Sequence, residues 1–320
     1  TGSSGTATGT IAITGGTVTV QGNIVRGTGS ATRNANVSLG GGSLNMSGRS
    51  IGAAGNAVTF SAEAGALAGL AELNGGGVLN KTTTGTLSLG NGNSYTGGTT
   101  VTGGTLLAMN TAGSATGTGS VTVLTTATLG GTGSVAGNVE INAGGILAPG
   151  AENPGQLTLG AGMTIDAGGF LDIDLGGPTI NAANAVAAHM SANGNSLVGF
   201  VIDASYENYQ NGITLHDHVN VTGASAPVIN GMVRVGPLLG TYVPQYGDIF
   251  DLMDWTAAGN VSGTTSFDFS GIPLSPWLGF NTDLFASTGI IVVVPEPSRT
   301  TLGLVGVAVL LLRRRRRRGC

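Results

Sequence analysis

The residues best suited to chemistry in this 320-residue chain lie mostly in its second half. His216, Asp217 and His218 are consecutive, and His216 and His218 fall on one face of a strand. Such a histidine pair binds zinc when a third ligand arrives from elsewhere, and His189 is the remaining histidine. Asp172 and Asp174 also share a strand face, where paired carboxylates bind Ca²⁺ or act as acid and base. Leu171, Ile173 and Leu175 then point inward, so both the carboxylate and histidine pairs read most simply as polar strand faces. Asp166 lies beyond the Gly168-Gly169 turn, and nothing places it beside Asp172 and Asp174. One Gly-x-Ser-x-Gly match occurs, at Gly48-Arg49-Ser50-Ile51-Gly52. A nucleophile elbow needs a helix after it, whereas residues 56–60 read as a strand, so a chain corner is expected. No catalytic residue, metal ligand or cofactor is assigned.

The elements that would carry these groups follow from composition. Glycine supplies 59 residues, more than twice its usual share, while 9% of residues are charged and 41% hydrophobic. Disorder needs more charge and fewer apolar residues. Collagen needs a three-residue glycine period, which is missing. The single cysteine, Cys320, excludes an intrachain disulfide and a thiolate cluster. Residues 1–162 sum to zero charge, residues 163–297 to −11 and the tail to +7. An acidic body of this kind argues against nucleic acid as a partner. The chain starts at Thr1, and a longer precursor is expected.

Through residues 1–177, short Thr/Val/Leu/Ile alternations end in Gly, Asn or Ser clusters, a pattern of strands and turns. Val123, Ile141 and Leu159 are 18 residues apart, as are Val121, Val139 and Leu157, and Leu129, Leu147 and Ile165. Leu89 and Leu107 share that spacing, and Val20, Leu39 and Val58 are 19 apart. The spacing predicts a parallel β-helix of about 18 residues per coil, with stacked aliphatic columns inside. Residues 62–76 form the one helix-like window, equally readable as strands with Ala and Gly outward.

The segment 85–107, with Tyr95, Thr96, Gly97, Gly98 and Thr99 in its turn, resembles the autotransporter-associated β-strand repeat, also called the passenger-associated transport repeat. The resemblance is strong over 84–162 and looser before it. It implies a right-handed, exported parallel β-helix. The remaining residues leave no room for a transporter barrel, so an autotransporter itself is not expected.

Residues 178–293 read as an acidic, smaller β-rich module, antiparallel or sandwich-like, with a short helix within 178–195. Trp255, Trp277 and most phenylalanines lie there, which suits a two-layer core. Residues 294–320 carry Val294-Pro295-Glu296-Pro297-Ser298, an apolar run over 302–312, and the block Arg313, Arg314, Arg315, Arg316, Arg317 and Arg318. The run is short for a stable membrane span, and the arginines would stay on the cytoplasmic side. This tripartite tail resembles the PEP-CTERM sorting signal of Gram-negative bacteria, in which a membrane transpeptidase, exosortase, is thought to recognise the motif.

The chain as a whole is therefore expected to be all-β and non-catalytic. It reads as an exported structural or adhesin-like surface protein, held transiently in the inner membrane by its tail. An exosortase-type enzyme would sort it to the envelope or an exopolysaccharide matrix, with exopolysaccharide or other surface proteins as partners. The alternative is a carbohydrate-active β-helix enzyme, a polysaccharide lyase or hydrolase, which would need clustered charged residues in a groove.

Overall fold

The computed structural model describes residues 5–28, 32–150, 153–194, 196–198, 200, 215–237 and 242–296. The first strands are β1 (Thr6–Ile13), β2 (Thr17–Thr19), β3 (Thr32–Ile51), β4 (Thr59–Leu73), β5 (Leu79–Lys81), β6 (Thr86–Gly90), β7 (Thr99–Val101) and β8 (Gly104–Ala108). The middle holds β9 (Val121–Val123), β10 (Ala127–Gly131), β11 (Ser134–Val135), β12 (Val139–Ile141), β13 (Ile146–Pro149), β14 (Gln156–Leu159), β15 (Met163–Ile165) and β16 (Phe170–Leu175). Then come β17 (Ile180–Asn181), the helix α1 (Ala183–Ala192), β18 (His218–Val221), β19 (Val228–Ile229) and β20 (Met232–Pro237). The last are β21 (Asp248–Asp251), β22 (Met253–Trp255), β23 (Ser266–Asp268), β24 (Leu278–Asn281), the helix α2 (Phe285–Thr288) and β25 (Ile290–Pro295).

The protein is mostly β, and its long sheets are parallel. One runs β1-β3-β4-β6-β8-β10-β13-β16-β20-β23, with β2 also on β3. A second runs β5-β7-β9-β12-β15-β19, and a third β11-β14-β18-β22. From β5 to β16 the chain visits these sheets in rotation, so each strand pairs with one from a neighbouring circuit rather than with its sequence neighbour. Side chains alternate along each strand, and the inward ones meet their register partners. Leu87, Leu106, Leu129, Leu147, Leu171, Val233 and Phe267 form one such column. Val101, Val123, Ile141, Ile165 and Ile229 form another. Both columns are fully buried except at Phe267.

The expected strands are present, but the constant 18-residue interval is not. Leu129 faces Leu147, 18 residues on, whereas Leu106 faces Leu129 at 23 and Leu147 faces Leu171 at 24. Ile141 stacks on Ile165, not on Leu159, and Leu89 pairs with Ala108 rather than Leu107. Upstream, Ile13 pairs with Leu39 and Val37 with Phe60, so the 19-residue series of Val20, Leu39 and Val58 is not a column. Circuits vary because corners take up extra residues while three-to-five-residue strands keep the pairing. The window 62–76 lies largely in β4, where Gly65 pairs with Leu87 and Leu67 with Leu89.

Parallel pairing does not stop at 177. β18, β19, β20, β22 and β23 add parallel to the earlier strands, where an antiparallel module is expected from the sequence. One antiparallel sheet exists, β17-β21-β25-β24. Phe250, Ile291 and Val293 on one side of it join the main core, and Ile249, Val292 and Val294 pack with Val186 of α1 on the other. Phe267 meets Phe285 edge-on at 5.0 Å and Phe269 stacks on Phe280 at 4.3 Å. The aromatic residues thus form a layer between the last parallel strand and this sheet, covering apolar side chains that a further circuit would otherwise bury.

Corners are held by asparagine. Asn93 accepts from Leu70 N at 2.8 Å and donates to Ala115 O at 2.7 Å, tying three circuits together. Gly131 at the end of β10 has φ 107°, and a Cβ there would strike the Ala108 backbone. Leu129→Ala is expected to cost about 2–5 kcal/mol, and Gly131→Ala at least about 1 kcal/mol. Thr128→Ala, on the outward side, is expected within about 0.5 kcal/mol of the parent in urea unfolding.

Candidate functional site

The chemically equipped residues converge where the antiparallel sheet meets the parallel stack. Residues 176–215 form an excursion out of the stack, and the chain re-enters it at His216-Asp217-His218, opening β18. All three are buried. Each of the three side chains has a different environment.

His216 is closed off by hydrogen bonds. Its Nδ1 lies 3.0 Å from Asp217 O, so this nitrogen carries the proton. Its Nε2 lies 2.7 Å from Thr179 Oγ1, which itself accepts Asp251 N–H at 3.0 Å. Phe250 packs edge-on against the ring at 6.0 Å. Burial lowers the imidazole to about 4, leaving it neutral. Asp217 is a clamp. Its carboxylate accepts Gly155 N–H and Asp174 N–H, each at 3.1 Å, joining the starts of two neighbouring strands. Burial raises it to about 7, against the pull of those two amides.

His218 differs from both. Its ring is buried, and neither ring nitrogen has a hydrogen-bond partner. Its Nε2 lies 3.5 Å from Asp254 Oδ2 and 4.0 Å from Asp251 Oδ1. β22 runs beside β18, pairing Asn220 with Asp254, while Asp251 ends β21 in the antiparallel sheet. Asp251 is buried and the Asp254 side chain is half-exposed. The histidine pair therefore divides, since His216 is consumed in structure and only His218 faces carboxylates. His189 joins neither, as it contacts Val198 O at 3.3 Å and the Phe200 ring at 5.3 Å. Asp251 and Asp254 escaped the sequence reading, and their only signal was the acid-rich stretch 248–254.

Asp172 and Asp174 do share the outer face of β16, above buried Leu171, Ile173 and Leu175. Asp172 grips its register partner Arg234 through two bonds of 2.6 Å, and Arg234 lies 3.9 Å over the Phe170 ring. Partial burial and then the Asp172 charge push Asp174 upward. Asp166 lies apart from them, in a surface groove of about 840 Å³ with Thr102, Thr125, Asn142, Asn230 and Thr264. That groove contains none of Asp172, Asp174 and Arg234. Ser50 lies in β3 and the next element is β4, so no nucleophile elbow exists there.

In the repeat turn, Tyr95 is fully buried with its hydroxyl 2.7 Å from Thr99 Oγ1. Thr96 donates to Glu72 at 2.8 Å from the neighbouring circuit. A Cβ at Gly97 would strike the Gly77 carbonyl, and one at Gly98 would lie 2.9 Å from Ser120 O. Every position of this turn is thus accounted for by packing. In the tail, Val294 and Pro295 belong to β25 and pair with Gly279 and Leu278. Glu296 is exposed and its N–H donates to Trp277 O at 2.8 Å. Pro297, Ser298, the apolar run and Arg313–Arg318 lie outside the described residues. No helix among the described residues is long and apolar enough to cross a membrane. No protein-family model matches this chain, and no curated protein matches it.

The two shifted groups titrate in opposition. Asp217 is raised from about 3.9 unfolded, so its contribution to stability falls as pH rises from about 4 to about 7. His216 is lowered from about 6.5, so its contribution grows between about pH 4 and 6.5. In the parent chain the two slopes offset each other over that range. In chelator-containing buffer, Asp217→Asn should leave a stability that rises with pH, by up to about 1.4 kcal/mol per unit. His216→Gln should leave one that falls. Parallel pH profiles for all three proteins would contradict this assignment.

Proposed function

We propose that the chain is a non-catalytic, exported surface protein whose parallel strands wind as a right-handed β-helix, and that its tail directs it to the cell envelope or an exopolysaccharide matrix. The observation that carries this reading is the use of the chemically capable side chains. His216, Asp217, Asp172 and Arg234 are each engaged in bonds between neighbouring strands or circuits. The rotation of strands among three parallel sheets supports the helical winding, and the right-handed rule for parallel crossovers supports its hand.

The tail supports the delivery step. β25 ends at Pro295 and Glu296 is exposed, so the Pro-Glu-Pro motif begins at the margin of the described fold, where a membrane transpeptidase of the exosortase type would meet it. At the surface, the groove around Asn142, Asp166 and Asn230 offers amide, carboxylate and threonine hydroxyl groups to the hydroxyls of a polysaccharide.

Intact-mass and fractionation analysis in the native host tests the delivery claim. The parent should lose the residues beyond the motif and appear at the envelope or outside the cell. Glu296→Ala, which spares the β24–β25 pairing, should retain the tail and stay in the inner membrane. Identical mass and location for the two proteins would overturn the sorting reading.

A further inference from the structure

We propose that His218, Asp251 and Asp254 form a binding site for one divalent transition-metal ion, Zn²⁺ foremost, which fastens the antiparallel sheet to the end of the parallel stack. The inference is independent of where the protein is delivered. It starts from an imbalance: a buried imidazole with neither nitrogen hydrogen-bonded, set against two carboxylates. Buried polar groups are nearly always satisfied, and an exception marks an absent partner. Here Nε2 approaches both carboxylates without a hydrogen bond, at 3.5 and 4.0 Å.

The spacing suits a shared ion. One donor atom from each residue lies within 4.8 Å of the others. Ligands around a tetrahedral zinc at about 2.0–2.2 Å are themselves about 3.4 Å apart, so small side-chain rotations complete the set. One imidazole and two carboxylates favour zinc-like ions over Ca²⁺, which takes six to eight oxygen ligands. Three protein ligands leave a fourth position for water.

The backbone fixes all three positions. His218 starts β18 and Asp254 sits in the adjacent strand β22, held by Val219 pairing with Met253. Asp251 is anchored from the other sheet by its N–H to Thr179 Oγ1 at 3.0 Å. Leu252 between the carboxylates donates to Gly289 O at 3.0 Å, and its carbonyl accepts Val219 N–H at 3.0 Å. The ion would therefore bridge two sheets that the chain crosses in a single residue, which makes its role structural.

Titration calorimetry of the full chain with Zn²⁺, after chelator treatment, tests the site. The expected result is one saturable ion per chain, with a raised thermal midpoint that the same concentration of Ca²⁺ does not reproduce. Asp254→Asn changes a half-exposed side chain and should fold. It should weaken Zn²⁺ binding by about tenfold or more, since losing even an outer partner of a ligand costs that much. His189→Gln should leave binding unchanged. No saturable binding by the parent, equal affinity in Asp254→Asn, or loss of binding in His189→Gln would each overturn the proposal.

Discussion

The structure depends on one constraint: each inward aliphatic side chain must rest on its equivalent in the next circuit. Parallel strands lie about 4.8 Å apart, so a single circuit encloses too little apolar volume to exclude water and becomes stable only between neighbours. Leu106, Leu129 and Leu147 are fully buried for this reason, although none lies in a strand longer than five residues. Register matters more than circuit length. Insertions leave at corners, and the largest, between β16 and β18, departs and returns without breaking the pairing of Leu171 with Val233.

Close stacking leaves little tolerance for backbone polar groups at the corners. Glycines such as Gly131 and Gly97 let one corner press against the carbonyls of the corner beneath. Asparagines such as Asn93 and Asn110 satisfy amides and carbonyls that no strand partner reaches. The same demand accounts for Lys81, which occupies the inward position stacked on Val101 and donates to the carbonyls of Thr83 and Gly103. Asp217 is a stronger version of this device, exchanging the cost of a buried carboxyl for two amide bonds that join neighbouring strands.

Strand identity was legible because alternation and Gly/Asn punctuation are local signals. Val121, Val123, Val139 and Ile141 were placed in the correct pairing by spacing alone. The next circuit was not, because residues 149–155 widen it and bring in β14, which shifts Ile141 onto Ile165. Past 177, the departure before β18 erases the period, so strands that join the stack looked like a separate antiparallel module. The candidate site was legible in half. His218 stood out as a histidine, but its carboxylate neighbours lie more than thirty positions later. Only the adjacency of β18 and β22 unites them.

Hydrogen exchange followed by mass spectrometry on the full chain tests the continuity of the stack most directly. Amides of β16, β20 and β23 should exchange slowly and open together with β10 and β13, under one unfolding event. Protection confined to the strands before residue 177, with β18, β20 and β22 opening independently and far sooner, would contradict a single continuous column.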